Sequence, residues 1–140
     1  MNEKLKKSII KSGMSLWSTL PYLIGTILLV SLIITLIPEA FYLKIFTGNI
    51  ILDPIVGSAL GSISAGNTVT SYILGGEFLN KGISLFAVTA FLVAWVTVGI
   101  IQMPAESKIL GKKFAILRNM SAFFMAIIVA IITVVIVGLI

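Results

Sequence analysis

The stretch Pro54-Ile-Val-Gly-Ser-Ala-Leu-Gly-Ser-Ile-Ser-Ala-Gly-Asn-Thr-Val-Thr-Ser-Tyr-Ile-Leu-Gly-Gly76 decides how this chain folds. It carries no charge and is dense in Gly, Ser and Thr. Its length suits a bilayer crossing, which takes roughly 20 apolar residues for about 30 Å of hydrocarbon. Its composition does not suit one unbroken helix. Asp53 before Pro54 reads as a helix start, a capping side chain followed by proline at the first helical position. Gly66-Asn67 in the middle is a helix-stop and turn signal. Asn67 or Thr68 then caps a second short helix ending at Gly75-Gly76. Each half is about 15–18 Å long at the helical rise, half a bilayer. We therefore expect a re-entrant hairpin over 54–76, with its tip, Ser64 to Thr68, near the membrane midplane. Two short full spans are the alternative.

The rest of the chain is read outward from there. Of 140 residues, 59% are hydrophobic and 11% charged, well outside the composition of a soluble domain. It is equally unlike a disordered chain, which is polar and charge-rich. Ser12 to Pro38, Gly82 to Ala105 and Asn119 to Ile140 are also charge-free. We expect transmembrane helices over 19–37, 83–103 and 119–140. The fold class is then an all-α integral membrane protein, three long transmembrane helices plus the Gly/Ser-rich broken-helix hairpin, in a single membrane domain over 1–140.

The sequence holds no Cys and no His, and only five carboxylates. Disulfides, thiol redox chemistry and His- or Cys-based nucleophilic mechanisms are excluded. The shortage of polar chemistry argues against an enzyme, and no catalytic residue, metal, cofactor or nucleic-acid partner is expected.

Topology follows from the basic residues. Lys4, Lys6, Lys7 and Lys11 precede the first span; Lys108, Lys112, Lys113 and Arg118 lie between the last two. Lys44 and Lys81 flank the Gly-rich stretch. If that stretch returns to the side it entered, eight of the ten basic residues share one side; if it crosses once, the split is even. The first arrangement places the N-terminus in the cytoplasm and the C-terminus outside, in a multi-pass protein of the cell (inner) membrane. Residues 1–18 read as a basic amphipathic segment on an anionic leaflet, with Leu5, Ile9, Ile10, Met14 and Trp17 on one stripe, or as a plain extension of the first span. Residues 39–47, with Phe41, Tyr42 and Phe46, read as a short interfacial helix with aromatic anchors.

Two features of the hairpin bear on function. Gly57, Gly61 and Ala65 form one small-residue stripe, and Ser58, Ser62 and Gly66 a second beside it. Such stripes let helix backbones approach closely in lipid. The tip gathers Ser64, Asn67, Thr68, Thr70 and Ser71. Non-helical backbone at membrane depth is tolerated only where protein or a water-filled cavity satisfies it, and transporters bind substrate at such breaks. Ser64, Gly66, Asn67, Thr68 and Ser71 are the candidate substrate-binding residues. The same hydroxyls can instead bond back to their own helix, and Asn67 can merely cap. No Asp, Glu, Lys or Arg lies well inside a span, which argues against a carboxylate proton carrier. Gln102 and Glu106 sit where a pathway mouth or an ordinary interfacial anchor is placed.

The run from Gly57 through Asn67 to Glu77 resembles a half-length branch of the predicted-permease family. Ala87-Val-Thr-Ala-Phe-Leu-Val-Ala-Trp-Val-Thr-Val-Gly99, Gln102-Met-Pro-Ala-Glu106 and Lys44-Ile-Phe-Thr-Gly48 fit it too. The resemblance covers roughly Pro38 to Arg118. Longer relatives carry two related halves and include organoarsenical efflux permeases, so it implies a transporter. Those relatives have a Cys-containing motif where this chain has Ser62 to Asn67 and no Cys. Soft-metal thiolate coordination is therefore impossible in this chain alone, and arsenical transport is not implied. Half length implies a homodimer or a related half-size chain as partner. The leading expectation is a half-size permease for a small polar or anionic solute. A small oligomeric ion channel and a non-transporting membrane assembly subunit are the alternatives.

Overall fold

The computed structural model describes residues 3–36, 38, 41, 44–64 and 67–139. Every regular element among them is an α-helix. Contacts divide the chain into two units, Met1–Leu36 and Ile37–Ile140. The first is one helix, α1 (Glu3–Leu36), 34 residues long with Pro21 inside it. The basic N-terminal segment thus shares a continuous helix with the stretch that follows. The described helix ends at Leu36, two residues before Pro38.

The described helices of the second unit include α2 (Leu52–Ile63), α3 (Thr68–Asn80), α4 (Leu85–Thr97), α5 (Met103–Leu110) and α6 (Lys112–Val137). Among the described residues only α6, 26 residues long, is long and apolar enough to cross a membrane. This corrects the expectation of three long transmembrane helices. The span expected over 83–103 is replaced by α4, an interruption at 98–102, and α5. At 13 residues α4 reaches only about 20 Å, short of the hydrocarbon thickness. The interruption has an identifiable tertiary cause. Gly99 N–H, which would continue the helix by bonding Trp95, is instead taken by the Asn119 side chain at 2.7 Å. Val98 is accordingly extended, at φ −99° and ψ 116°.

α2 and α4 run side by side in the same direction. Asp53 meets Ser84 at their starts. Further along, Gly57 lies against Ala87, and Gly61 against Phe91 and Ala94. The approach is so close that a Cβ on Gly57 would fall 2.1 Å from the Ala87 carbonyl oxygen, and one on Gly61 2.4 Å from that of Phe91. The face of α2 that holds Gly57, Ser58, Gly61 and Ser62 is buried. Ser62 donates back to the Ser58 carbonyl at 2.6 Å, and the Ser58 hydroxyl is buried without a partner. Ala65 lies outside the described residues.

α3 returns against α4, its Gly75 on Val88 and Leu92. It runs past Gly75-Gly76, where the sequence suggested an end. Its stop lies at Gly82, whose φ is +79°. There Gly82 N–H bonds the Leu79 carbonyl and Ile83 N–H that of Phe78, each at 3.0 Å. This is the two-bond glycine cap that commonly ends helices. Ile83 then packs with Phe46, Ala87 and Val88, against Phe78. Phe46 is therefore a core residue and not an interfacial anchor. Of the interfacial helix expected over 39–47, Glu39, Ala40, Tyr42 and Leu43 lie outside the described residues. α6 packs on α4 with a small-residue face, burying Ala115, Asn119, Ala126 and Ala130. Ala126 joins Ala94 and Val98 in a second cluster.

Candidate functional site

Two networks hold the helices in place. The first sits at the starts of α2 and α4. Asn49 closes the turn leading into α2, its side-chain oxygen accepting from Ile51 N–H at 2.9 Å and Leu52 N–H at 3.3 Å. Asp53, expected to cap, is wholly buried and has a different task. Its carboxylate accepts from Thr47 N–H at 3.0 Å, from Gly48 N–H at 3.1 Å, and from the Ser84 hydroxyl. Ser84 in turn caps α4, accepting from Ala87 N–H at 3.3 Å. One carboxylate thus ties the loop before α2 to the first turn of α4, at helix ends where negative charge is favoured.

The second network lies at the other end. Asn119 is 4% exposed and uses both ends of its amide. Its oxygen accepts from Gly99 N–H, while its nitrogen donates to the Ala115 carbonyl at 2.8 Å and to Glu106 at 3.3 Å. Glu106 also pairs with Arg118. These contacts fix the interruption after α4 against the first turns of α6.

Between these groups and the end of α2 is a cavity of about 110 Å³. Ser64, Trp95, Thr97, Gly99, Gln102 and Arg118 are among its lining residues. At about 30 Å³ per water it has room for roughly three waters, or for a small ion or solute. Ser64 directly follows α2 and Val98 directly follows α4, so the ends of both helices border the same space. Ser64 donates to the Leu60 carbonyl at 2.7 Å and Thr97 to that of Val93 at 2.8 Å. Their oxygens keep lone pairs free to accept, and Gln102 and Arg118 supply donors. The lining can therefore hydrate an ion or bind a small polar solute. Among the described residues no group of three or more Asp or Glu side chains is placed to hold a metal.

Of the four described candidate residues, Ser64, Asn67, Thr68 and Ser71, only Ser64 is among those lining the cavity. Asn67 caps α3, its side-chain oxygen accepting from Val69 N–H at 3.0 Å. Thr68 is exposed, Ser71 is buried with its hydroxyl on the Thr68 carbonyl at 2.7 Å, and Gly66 lies outside the described residues. The sequence places Arg118 in the loop before the last expected span and Asn119 at that span's first residue, and gives neither a role at the site. The available signal is an amide at the head of a long apolar run.

Among the described residues the fold is all-helical, with one helix long and apolar enough to cross a membrane and with the ends of two helices meeting at a polar cavity. Comparison with protein-family models, curated proteins and solved structures finds no match to this chain.

Proposed function

We propose that the chain is a membrane-embedded half-size permease for a small polar or anionic solute, with the cavity at the two interruptions as its solute site. The observation that carries this reading is the meeting of Ser64, Thr97, Gly99, Gln102 and Arg118 around one polar space. Each interruption frees backbone groups from the helical ladder, and such groups are stable in a membrane only where a cavity or protein satisfies them. Interrupted helices with converging ends are a common way for transporters to hold a solute. The Arg118 guanidinium and the Gln102 amide favour a solute rich in oxygen acceptors. The permease works as a homodimer, or with a related half-size chain, because a chain of this length encloses too little space to wall a pathway from lipid. The basic segments around Lys4 to Lys11 and Lys108 to Arg118 face the cytoplasm of the cell membrane, and α6 carries the C-terminus to the other side.

The natural absence of cysteine makes the test direct. Single cysteines at Ser64, Thr97 and Gln102 are challenged in sealed vesicles with a membrane-impermeant maleimide from either side. Labelling at these positions, slowed by the transported solute, is expected. Failure at all three while cysteines at Lys44 and Lys112 react would overturn the reading.

A further inference from the structure

A second concave site lies away from the cavity, between α5 and the start of α6. It is an open groove of about 430 Å³, lined by Ile100, Met103, Ser107, Lys108, Lys112 and Ile116. Its surface is mostly apolar, and Lys108 and Lys112 are the charged residues among those lining it. Lys108 and Lys112 make no ion pair among the described residues; Glu106, the carboxylate on α5, is already held by Arg118 and Asn119. The charge around the groove is also adverse as it stands. α6 begins here with Lys112 and Lys113 in its first turn and no acidic residue, and Gly111 provides no side-chain cap. The first backbone bond back to the cap is Ala115 N–H to the Gly111 carbonyl, so the amides of Lys112, Lys113 and Phe114 have no helical acceptor. Cations are thus gathered at the positive end of a helix, an arrangement that an anion relieves. The apolar wall continues onto the exposed face of α6 through Ile116, Leu117 and Met120.

We propose that this groove holds an anionic phospholipid. The headgroup phosphate sits between Lys108 and Lys112 at the open amides of α6. An acyl chain lies along Ile100, Met103 and Ile116. Basic pockets beside membrane helices on the cytoplasmic side bind anionic headgroups in this way. The proposal rests on membrane embedding and does not depend on what the cavity carries.

Native mass spectrometry of the full chain in detergent tests it, with phosphatidylglycerol and phosphatidylcholine of identical acyl chains as probes. The wild-type chain is expected to retain phosphatidylglycerol preferentially. Lys108→Gln with Lys112→Gln is expected to weaken that retention about thirtyfold, from the attraction each lysine contributes near an anionic headgroup. Lys108→Arg with Lys112→Arg keeps it. Lys4→Gln with Lys6→Gln removes the same charge from α1 and leaves it intact. Should the double glutamine variant fail to fold, Lys108→Gln alone reads the same effect at about fivefold. Equal retention of both lipids by the wild-type chain overturns the proposal, as does an equal loss in the Lys4/Lys6 variant. Displacement of the lipid by an equal concentration of inorganic phosphate also overturns it, because the apolar wall would then contribute nothing.

Discussion

Replacing Gly57 by alanine adds one methyl group at the tightest point between α2 and α4. The new Cβ would lie 2.1 Å from the Ala87 carbonyl oxygen, 2.9 Å from its carbonyl carbon and 3.1 Å from its Cα. All three are backbone atoms, so no side chain can rotate away. Restoring ordinary contact requires the helices to part by roughly 1 Å, and a gap of that size forfeits a quarter to a half of each dispersion contact. The loss extends to the neighbouring contact of Gly61 on Phe91. Overpacking of this kind costs about 1–3 kcal/mol, and the rigid neighbour places this site at the upper end, about 3 kcal/mol. Gly76→Ala is the matched control. Its Cβ meets nothing within 4 Å, and α3 is helical there. The gain in helix propensity is expected to stabilise the chain by about 0.5–1 kcal/mol. Reversible unfolding in mixed micelles of rising dodecyl sulfate fraction, followed by circular dichroism, measures both. The reasoning is refuted if Gly57→Ala lies within about 0.5 kcal/mol of wild type, the range of a neutral surface change. It is refuted equally if Gly76→Ala costs as much.

Two further outcomes follow from the networks at the helix ends. Asp53→Ala strands Thr47 N–H, Gly48 N–H and the Ser84 hydroxyl, and is expected to cost about 3 kcal/mol in the same assay, since hydrogen bonds to a charged group each contribute roughly 1.5–3 kcal/mol; a loss below about 1 kcal/mol would contradict this role. Asn119→Ala releases Gly99 N–H and one oxygen of Glu106, so Gly99 should exchange its amide hydrogen at least about tenfold faster, the equivalent of one lost hydrogen bond; unchanged exchange at Gly99 would mean that another group holds the interruption.

The residues make some of this plain and conceal the rest. The all-helical character is legible in composition and spacing. Asn67 is legible as a cap because its side chain acts on a neighbour two residues away. The glycine stripe is legible as a close approach, although nothing in it identifies α4 as the partner. The interruption after Thr97 is hidden because it depends on Asn119, 20 residues from Gly99. Val98 lies in an apolar run that any hydropathy window averages into a single span. Gly99 and Pro104 were visible hints, and neither breaks the helix by itself. The cavity inherits that concealment, since Arg118 and Gln102 reach it only once the chain has broken. Asp53 misleads for the opposite reason. Asp before Pro has a ready local meaning, and burial on Ser84 displaced it.

The Asp53 carboxylate has a mechanical consequence. It fastens α2 and α4 at their origins, and the bare Gly57 contact keeps them close one turn further on. Gly61 repeats the contact near their far ends, against Phe91 and the Trp95 amide nitrogen, so the two helices are clamped along most of their length. Ser64 and Val98, which border the cavity, are therefore carried on a rigid pair, and the width of that space is set by backbone that no side-chain rotation can relax.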